Sequence, residues 1–169
     1  MILFALKGDQ YLIAALSTVT AGATLGFLVW NKSPAKIYMG DAGALFLGVL
    51  LATLTVRFEP TAHTQLSSFL IPVLLLAIPI LDTSVAVLSR IRRHLSPFQG
   101  GQDHLSHRLI RSGVTRKSSA IILWSLSGLF AAVAVLLPKA SQSTTNYLLI
   151  GAGLTWLTLF IAFFRTKDS

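Results

Sequence analysis

"YLIAALSTVTAGATLGFLVW", residues 11 to 30, runs for twenty residues without a charge. As a helix rising 1.5 Å per residue it is about 30 Å long, the hydrocarbon thickness of a bilayer. A helix packed on a soluble core keeps a charged or strongly polar face toward water. Here the polar side chains are hydroxyls and one indole. The stretch reads as a membrane span, and that reading decides the fold class.

Working outward, three more stretches have the length to cross. Residues 66–88, "LSSFLIPVLLLAIPILDTSVAVL", carry one charge, Asp82. Residues 118–137 and 146–164 carry none. A further stretch is shorter: its uncharged part is 42–56, and it reaches about twenty residues only by starting near Ile37 and including Asp41. The expected spans are therefore about 11–30, 37–56, 66–88, 118–137 and 146–164, in one membrane domain over 1–169, with a basic loop at 89–117. The fold class is all-α: a polytopic integral membrane protein with about five transmembrane helices. The opening "MILFALK" is too short to cross.

Composition agrees. Hydrophobic residues make up 53% and charged residues 12%, against about a quarter charged in a soluble domain, and the mean hydropathy is +0.70. A formal charge of +8 would point to nucleic acid in a soluble chain. In a membrane chain it marks cytoplasmic loops, so nucleic acid is not an expected partner. With no cysteine there is no disulfide framework and no thiolate metal site. No basic n-region followed by a cleavage site is read at the start.

The charges orient the spans. Eleven of the fourteen Lys and Arg fall on the side that follows the first span, leaving Lys7, Arg57 and Lys139 on the other. The positive-inside rule makes the first side cytoplasmic, with the N-terminus outside and the C-terminus inside. Asp41, the cytoplasmic end of the span holding Asp82, and the loop holding His104 and His107 then share one face of the membrane.

These residues are the candidates for chemistry. Asp41 has two compatible readings, as a helix N-cap and as an Mg²⁺ ligand whose helix N-terminus meets phosphate oxygens. Gly40 and Gly43 beside it let a ligand approach the backbone. Asp82 is an ionisable residue inside a span, which is a functional hypothesis by default. The alternative is a buried Asp bonded to the Thr83 or Ser84 hydroxyl, or to carbonyls freed by Pro79. His104 and His107 are three apart, on one face if helical. Two imidazoles without Cys or an HExxH pattern are a weak zinc signal, and phosphate contact beside Arg108 and Arg111 fits better. His94 reads as solvated loop, and Arg90, Arg92 and Arg93 as topology charges and headgroup anchors. "GATLG", 22–26, reads as a helix-packing motif, and Pro72 and Pro79 as bends.

"GFLVWNKSPAKIYMGDAGALFLG" (26–48) followed by "PILDTSVAVLSRIRRHLSPFQGGQDHLSHRL" (79–109) resembles the polyprenyl-phosphate N-acetylhexosamine-1-phosphate transferases. This is glycosyltransferase family 4, which includes the undecaprenyl-phosphate GlcNAc-1-phosphate and phospho-MurNAc-pentapeptide transferases. Four cues stand in the family's order: N-x-x-P-A-K-x-x-M-G-D-x-G, P-I-L-D-T, the S-P-F loop and H-x-x-H. The likeness covers about residues 20–115. It implies transfer of an N-acetylhexosamine 1-phosphate from a UDP-sugar to polyprenyl phosphate, with release of UMP, in the synthesis of lipopolysaccharide, peptidoglycan or teichoic acid. It implies Mg²⁺, with Mn²⁺ as an alternative, held by Asp41. It implies catalytic roles for Asp82, His104 and His107, and phosphate binding by Asn31, His104, His107 and Arg108. It implies a multi-pass protein of the inner (plasma) membrane with a cytoplasmic active site.

Two departures matter. The family's H-x-H-H has Ser106 in its middle position here. The family's first half carries an Asp-Asp pair and an N-x-x-N-x-x-D-G segment; none of the six acidic residues here adjoins another. The expectation is therefore the C-terminal half of a roughly ten-helix fold, needing an N-terminal half or a partner chain and inactive alone, with a homodimer as a further arrangement. Two other classes stay open. One is a non-catalytic membrane subunit, supported by the absent aspartates. The other is a small transporter, against which no internal repeat is visible.

Overall fold

The structure is a computed structural model that describes residues 2–7, 9–32, 34–58, 64–98 and 101–166. Glu59, Lys167 and Asp168 lie outside the described residues. The elements are α1 (Ile2–Lys7), α2 (Tyr11–Asn31), α3 (Gly40–Arg57), α4 (Gln65–Leu75), α5 (Ala77–Arg92), α6 (Leu105–Arg111), α7 (Arg116–Leu136) and α8 (Gln142–Arg165), with a 3-10 turn at Leu137–Lys139. No strand occurs among the described residues.

Among the described residues, four helices have the length and apolar composition of a span: α2, α3, α7 with its 3-10 extension, and α8. The shortest expected span, around 37–56, is a single unbroken helix. The one expected at 66–88 is instead broken: α4 and α5 meet at Leu76 with a bend of 70° and make a fifth span only if taken together. The cause is Pro79, which has no N–H to donate to the Leu75 carbonyl, so helical bonding lapses there. The chain restarts at Ala77 with Pro79 in the first turn, where a missing N–H costs least.

The helices are exposed as membrane helices are. On α3 only Leu54 is buried, while Leu45, Phe46, Val49 and Val56 are 68–85% exposed. A helix that is apolar all round and buries one residue needs an apolar solvent. Hydroxyls inside the spans bond back to their own helix, as Thr18 to the Ala14 carbonyl (2.7 Å), Thr53 to Val49 (2.8 Å) and Thr158 to Leu154 (2.8 Å). That satisfies them where no water is present.

The chain forms two compact units, Met1–Pro72 and Val73–Ser169. In the first, α1 packs on α2 and α2 on α3. In the second, α5 is the central element and contacts α6, α7 and α8. It buries Ala77, Ile78, Leu81, Val85 and Ser89, one stripe at helical spacing. At its start the Ala77 carbonyl accepts the indole N–H of Trp156 at 3.0 Å. At its end the Arg92 guanidinium lies 5.0 Å over the Phe164 ring, itself stacked in series with Phe160 and Trp156. The two contacts make α5 and α8 run in the same direction, so their basic C-terminal ends emerge together. α7 and α8 begin with side-chain caps, Thr115 accepting from the Ser118 N–H and Ser141 from the Thr144 N–H.

Candidate active site

The chain leaving α5 doubles back along it. α5 ends in a Schellman motif: the His94 N–H donates to the Ile91 carbonyl and the Leu95 N–H to the Arg90 carbonyl, both at 3.0 Å. This requires a left-handed residue after the cap, and His94 takes φ +58. His94, expected only as solvated loop, is thus the hinge of the turn. α6 ends in the same motif, with Gly113 at φ +91.

The returning chain brings His104 to Asp82. The His104 Nδ1 lies 2.8 Å from one Asp82 oxygen, and the Leu105 N–H donates to the other at 2.6 Å. One carboxylate so orients the imidazole and satisfies a free N–H at the start of α6. The alternative partners for Asp82, Thr83, Ser84 or a freed carbonyl, are not the ones it takes. Its side chain is 31% exposed and that of His104 54%, so the pair faces outward. The hydrogen bond to Asp82 raises the His104 pKa above the ordinary imidazole value, against the opposing effect of burial. His104 is the N-cap of α6, with extended backbone, and His107 follows inside the helix, half-buried and within electrostatic reach of Asp82.

Arg108 turns inward. It is 1% exposed, and its Nε donates to the Asp103 carbonyl at 2.9 Å. Its Nη1 donates to the carbonyls of Phe163 (2.9 Å) and Thr166 (3.2 Å). A cation on the last carbonyls of a helix meets the negative end of its dipole, so Arg108 ties the loop to the end of α8. Arg111 donates to the Gln102 carbonyl at 2.8 Å.

Asp103 is buried and takes the Arg90 Nε at 2.6 Å and the Arg93 Nη2. Burial pushes its pKa up, but the two guanidiniums prevail and hold it below the usual carboxylate range. Sequence reasoning gave Asp103 no role. The signal was the single carboxylate itself, between "RIRR" and "HLSHR". Beside the pair a cleft of about 180 Å³ opens between α5, at Thr83, Ala86 and Val87, and the loop, at Pro97 and Gly101.

Asn31 and Asp41 belong to the first unit. The Asn31 amide donates to the Ile37 carbonyl at 2.9 Å, and the Lys36 N–H to the Trp30 carbonyl at 2.8 Å, which together close the turn leading to α3. Asp41 stands in the first turn of α3, while the N-cap position is Met39, with no side-chain cap. The Asp41 carboxylate is exposed and has no partner among the described residues. A lone carboxylate beside free helix N–H groups fits Mg²⁺, which keeps waters and phosphate oxygens for its other positions. No group of three or more metal-ligating side chains occurs among the described residues, so the donor set suits a metal carried with phosphate rather than a closed protein site.

A model of the family described as glycosyl transferase family 4 matches residues 1–59. A probable undecaprenyl-phosphate N-acetylglucosaminyl 1-phosphate transferase of Bacillus subtilis (strain 168) is 35% identical over 159 residues, 94% of this chain and 40% of that protein. That alignment extends well beyond the family-model match and decides the matter. The chain belongs to glycosyl transferase family 4. Its other relatives include a decaprenyl-phosphate N-acetylglucosaminephosphotransferase of Mycolicibacterium smegmatis, 35% identical over 70% of this chain and 32% of that protein. A phospho-N-acetylmuramoyl-pentapeptide-transferase of Corynebacterium kroppenstedtii is 35% identical over 75% of this chain and 33% of that protein. This family member therefore spans two fifths or less of the length of these relatives. No solved structure matches the chain.

Proposed function

We propose that this chain supplies the Asp82–His104 pair and a metal carboxylate to a membrane transferase. The enzyme moves an N-acetylhexosamine 1-phosphate from a UDP-sugar to polyprenyl phosphate in cell-envelope glycan synthesis. The observation that carries the reading is the Asp82–His104 contact beside a cleft and a basic loop, in a chain whose relatives are named for such transfers.

In the transfer an oxygen of the polyprenyl phosphate attacks the phosphorus that carries the sugar. The new O–P bond makes the polyprenyl-diphosphate-sugar, and the bridging O–P bond breaks so that its electron pair leaves with UMP. Little covalent work falls to the protein; it aligns the two anions and stabilises charge. With Nδ1 on Asp82, the His104 Nε2 is the atom left for a phosphate oxygen. Its raised pKa keeps it cationic at a higher pH than free imidazole. His107 adds a second imidazole, and Asn31 shapes the turn before Asp41. Arg108 contributes by holding residues 103 and 104 in place. Mg²⁺, when bound, neutralises the diphosphate, and Asp41 is the residue that would hold it. The positive-inside rule sets the site on the cytoplasmic face of the plasma membrane.

A chimera tests this. The matching region of the Bacillus subtilis relative is replaced by this chain, and UMP release is measured with UDP-N-acetylglucosamine, undecaprenyl phosphate and Mg²⁺. The chimera is expected to turn over, and Asp82→Asn to lower kcat about 100-fold, the scale of one lost charge-stabilising group. A membrane-inserted chimera without UMP release, beside an active parent, overturns the proposal.

A further inference from the structure

We infer that Asp103 is a positioning residue for His104: clamped by Arg90 and Arg93, it fixes the returning chain so that the imidazole meets Asp82. The inference rests on the reading of Asp82 and His104 as a functional pair, and adds a residue to it.

Four observations carry it. Asp82 and Arg90 on α5 and Arg93 at its C-cap stand at i, i+8 and i+11, one helical face. Residue 103 is held twice, its carboxylate by Arg90 and Arg93 and its carbonyl by Arg108. The backbone at His104 is extended, with φ −68 and ψ 155. Successive side chains of extended chain diverge, so Asp103 reaches toward the end of α5 while His104 reaches back to Asp82. Finally, the Arg90 guanidinium passes against the backbone of Gly101, where any Cβ would collide with it.

Bulk stability is a poor reason for the cluster. Arg90 and Asp103 are 8% and 9% exposed, and taking such charges out of water offsets much of their attraction. What the cluster does geometrically is remove the freedom of the chain that carries His104.

The test is the titration of His104 in the whole chain, in detergent micelles, by NMR of isotope-labelled histidines, with His104→Gln to assign the resonance. Asp82, Asp103, Arg90 and His107 are the charged and titratable groups around it. In the wild-type chain His104 titrates above about 6.5, the ordinary value. Arg90→Gln separates two explanations by sign. If Arg90 acts on His104 only as a nearby cation, removing it raises the His104 pKa. If Arg90 acts through Asp103, the imidazole leaves Asp82 and its pKa falls toward the ordinary value. Gly101→Ala displaces Arg90 without changing any charge and is expected to lower the His104 pKa in the same way. It carries the test should Arg90→Gln not fold, with helical circular dichroism as the check. A His104 pKa that rises or stays put in the folded variants overturns the inference, as does a wild-type His104 at the ordinary value. Failure of the chimera to release UMP overturns the transferase reading and leaves these titrations as they are.

Discussion

Asp82 joins two parts of the second unit through one side chain, holding an imidazole with one oxygen and a helix N–H with the other. The pair has a definite pH signature. A histidine whose folded pKa is raised contributes stability that is fully present below its unfolded value, about 6.5, and is lost as pH rises through the folded value. Melting temperature in detergent is therefore expected to fall as pH rises above about 6.5, and Asp82→Asn to flatten that slope. Asp103 has the opposite sign: its contribution is present above about 3.9 and is lost as pH falls through its lowered folded value. Asp41 differs from both, because its carboxylate has no protein partner among the described residues. Asp41→Asn in the chimera is expected to leave melting unchanged and to lower kcat about 100-fold. Asparagine keeps the shape of the side chain but brings no charge to a metal, so near-parental turnover of that variant removes the metal role.

At the scale of elements, the same Schellman motif ends α5 and α6 with different residues. Gly113 adopts φ +91 without a Cβ, whereas His94 adopts φ +58 with one. Left-handed backbone costs an L-residue about 1 kcal/mol or more. His94→Gly is expected to stabilise the chain by several tenths of that figure, after the extra entropy of the unfolded glycine is allowed for. Gly113→Ala is expected to destabilise it by about 1 kcal/mol. Denaturant unfolding followed by circular dichroism measures both. A His94→Gly variant less stable than the parent would give the imidazole a contact beyond its backbone role. The break at Leu76 belongs to the same scale: Pro79 turns one apolar run into two helices, while Pro72 stays inside α4.

For the whole molecule, the question is which way the spans face. Parallel α5 and α8 bring the basic ends of both helices to the side of the second unit that holds the His104 loop. By the positive-inside rule, the basic excess makes a cytoplasmic placement of that side the proposal to be tested. The chain has no cysteine, so single cysteines report cleanly. An impermeant thiol reagent applied to intact cells is expected to label Lys139→Cys and to spare His104→Cys. The reverse pattern inverts the topology and moves the candidate site outside.

Hydropathy and charge are properties that residues carry with them and that add along a helix. For that reason the apolar helices Tyr11–Asn31, Arg116–Leu136 and Gln142–Arg165 were legible from the sequence to within a few residues of their ends, as was the excess of positive charge. The motif order likewise pointed to the family, through Asp41 and the "PILDT" and "HLSHR" segments. Pairings behave differently, since a carboxylate's partner depends on the path the chain takes between them. Twenty-two residues separate Asp82 from His104, and their meeting depends on a left-handed turn at His94 that no hydropathy pattern encodes. The same path buries Asp103 between two arginines and turns Arg108 away from solvent onto the carbonyls of α8. The sequence by itself determined that this chain crosses a membrane and which residues bear charge. Only the tertiary structure decided which of those charges neutralise one another inside the protein and which remain turned outward, because that choice is made by distance and burial after the loop has closed.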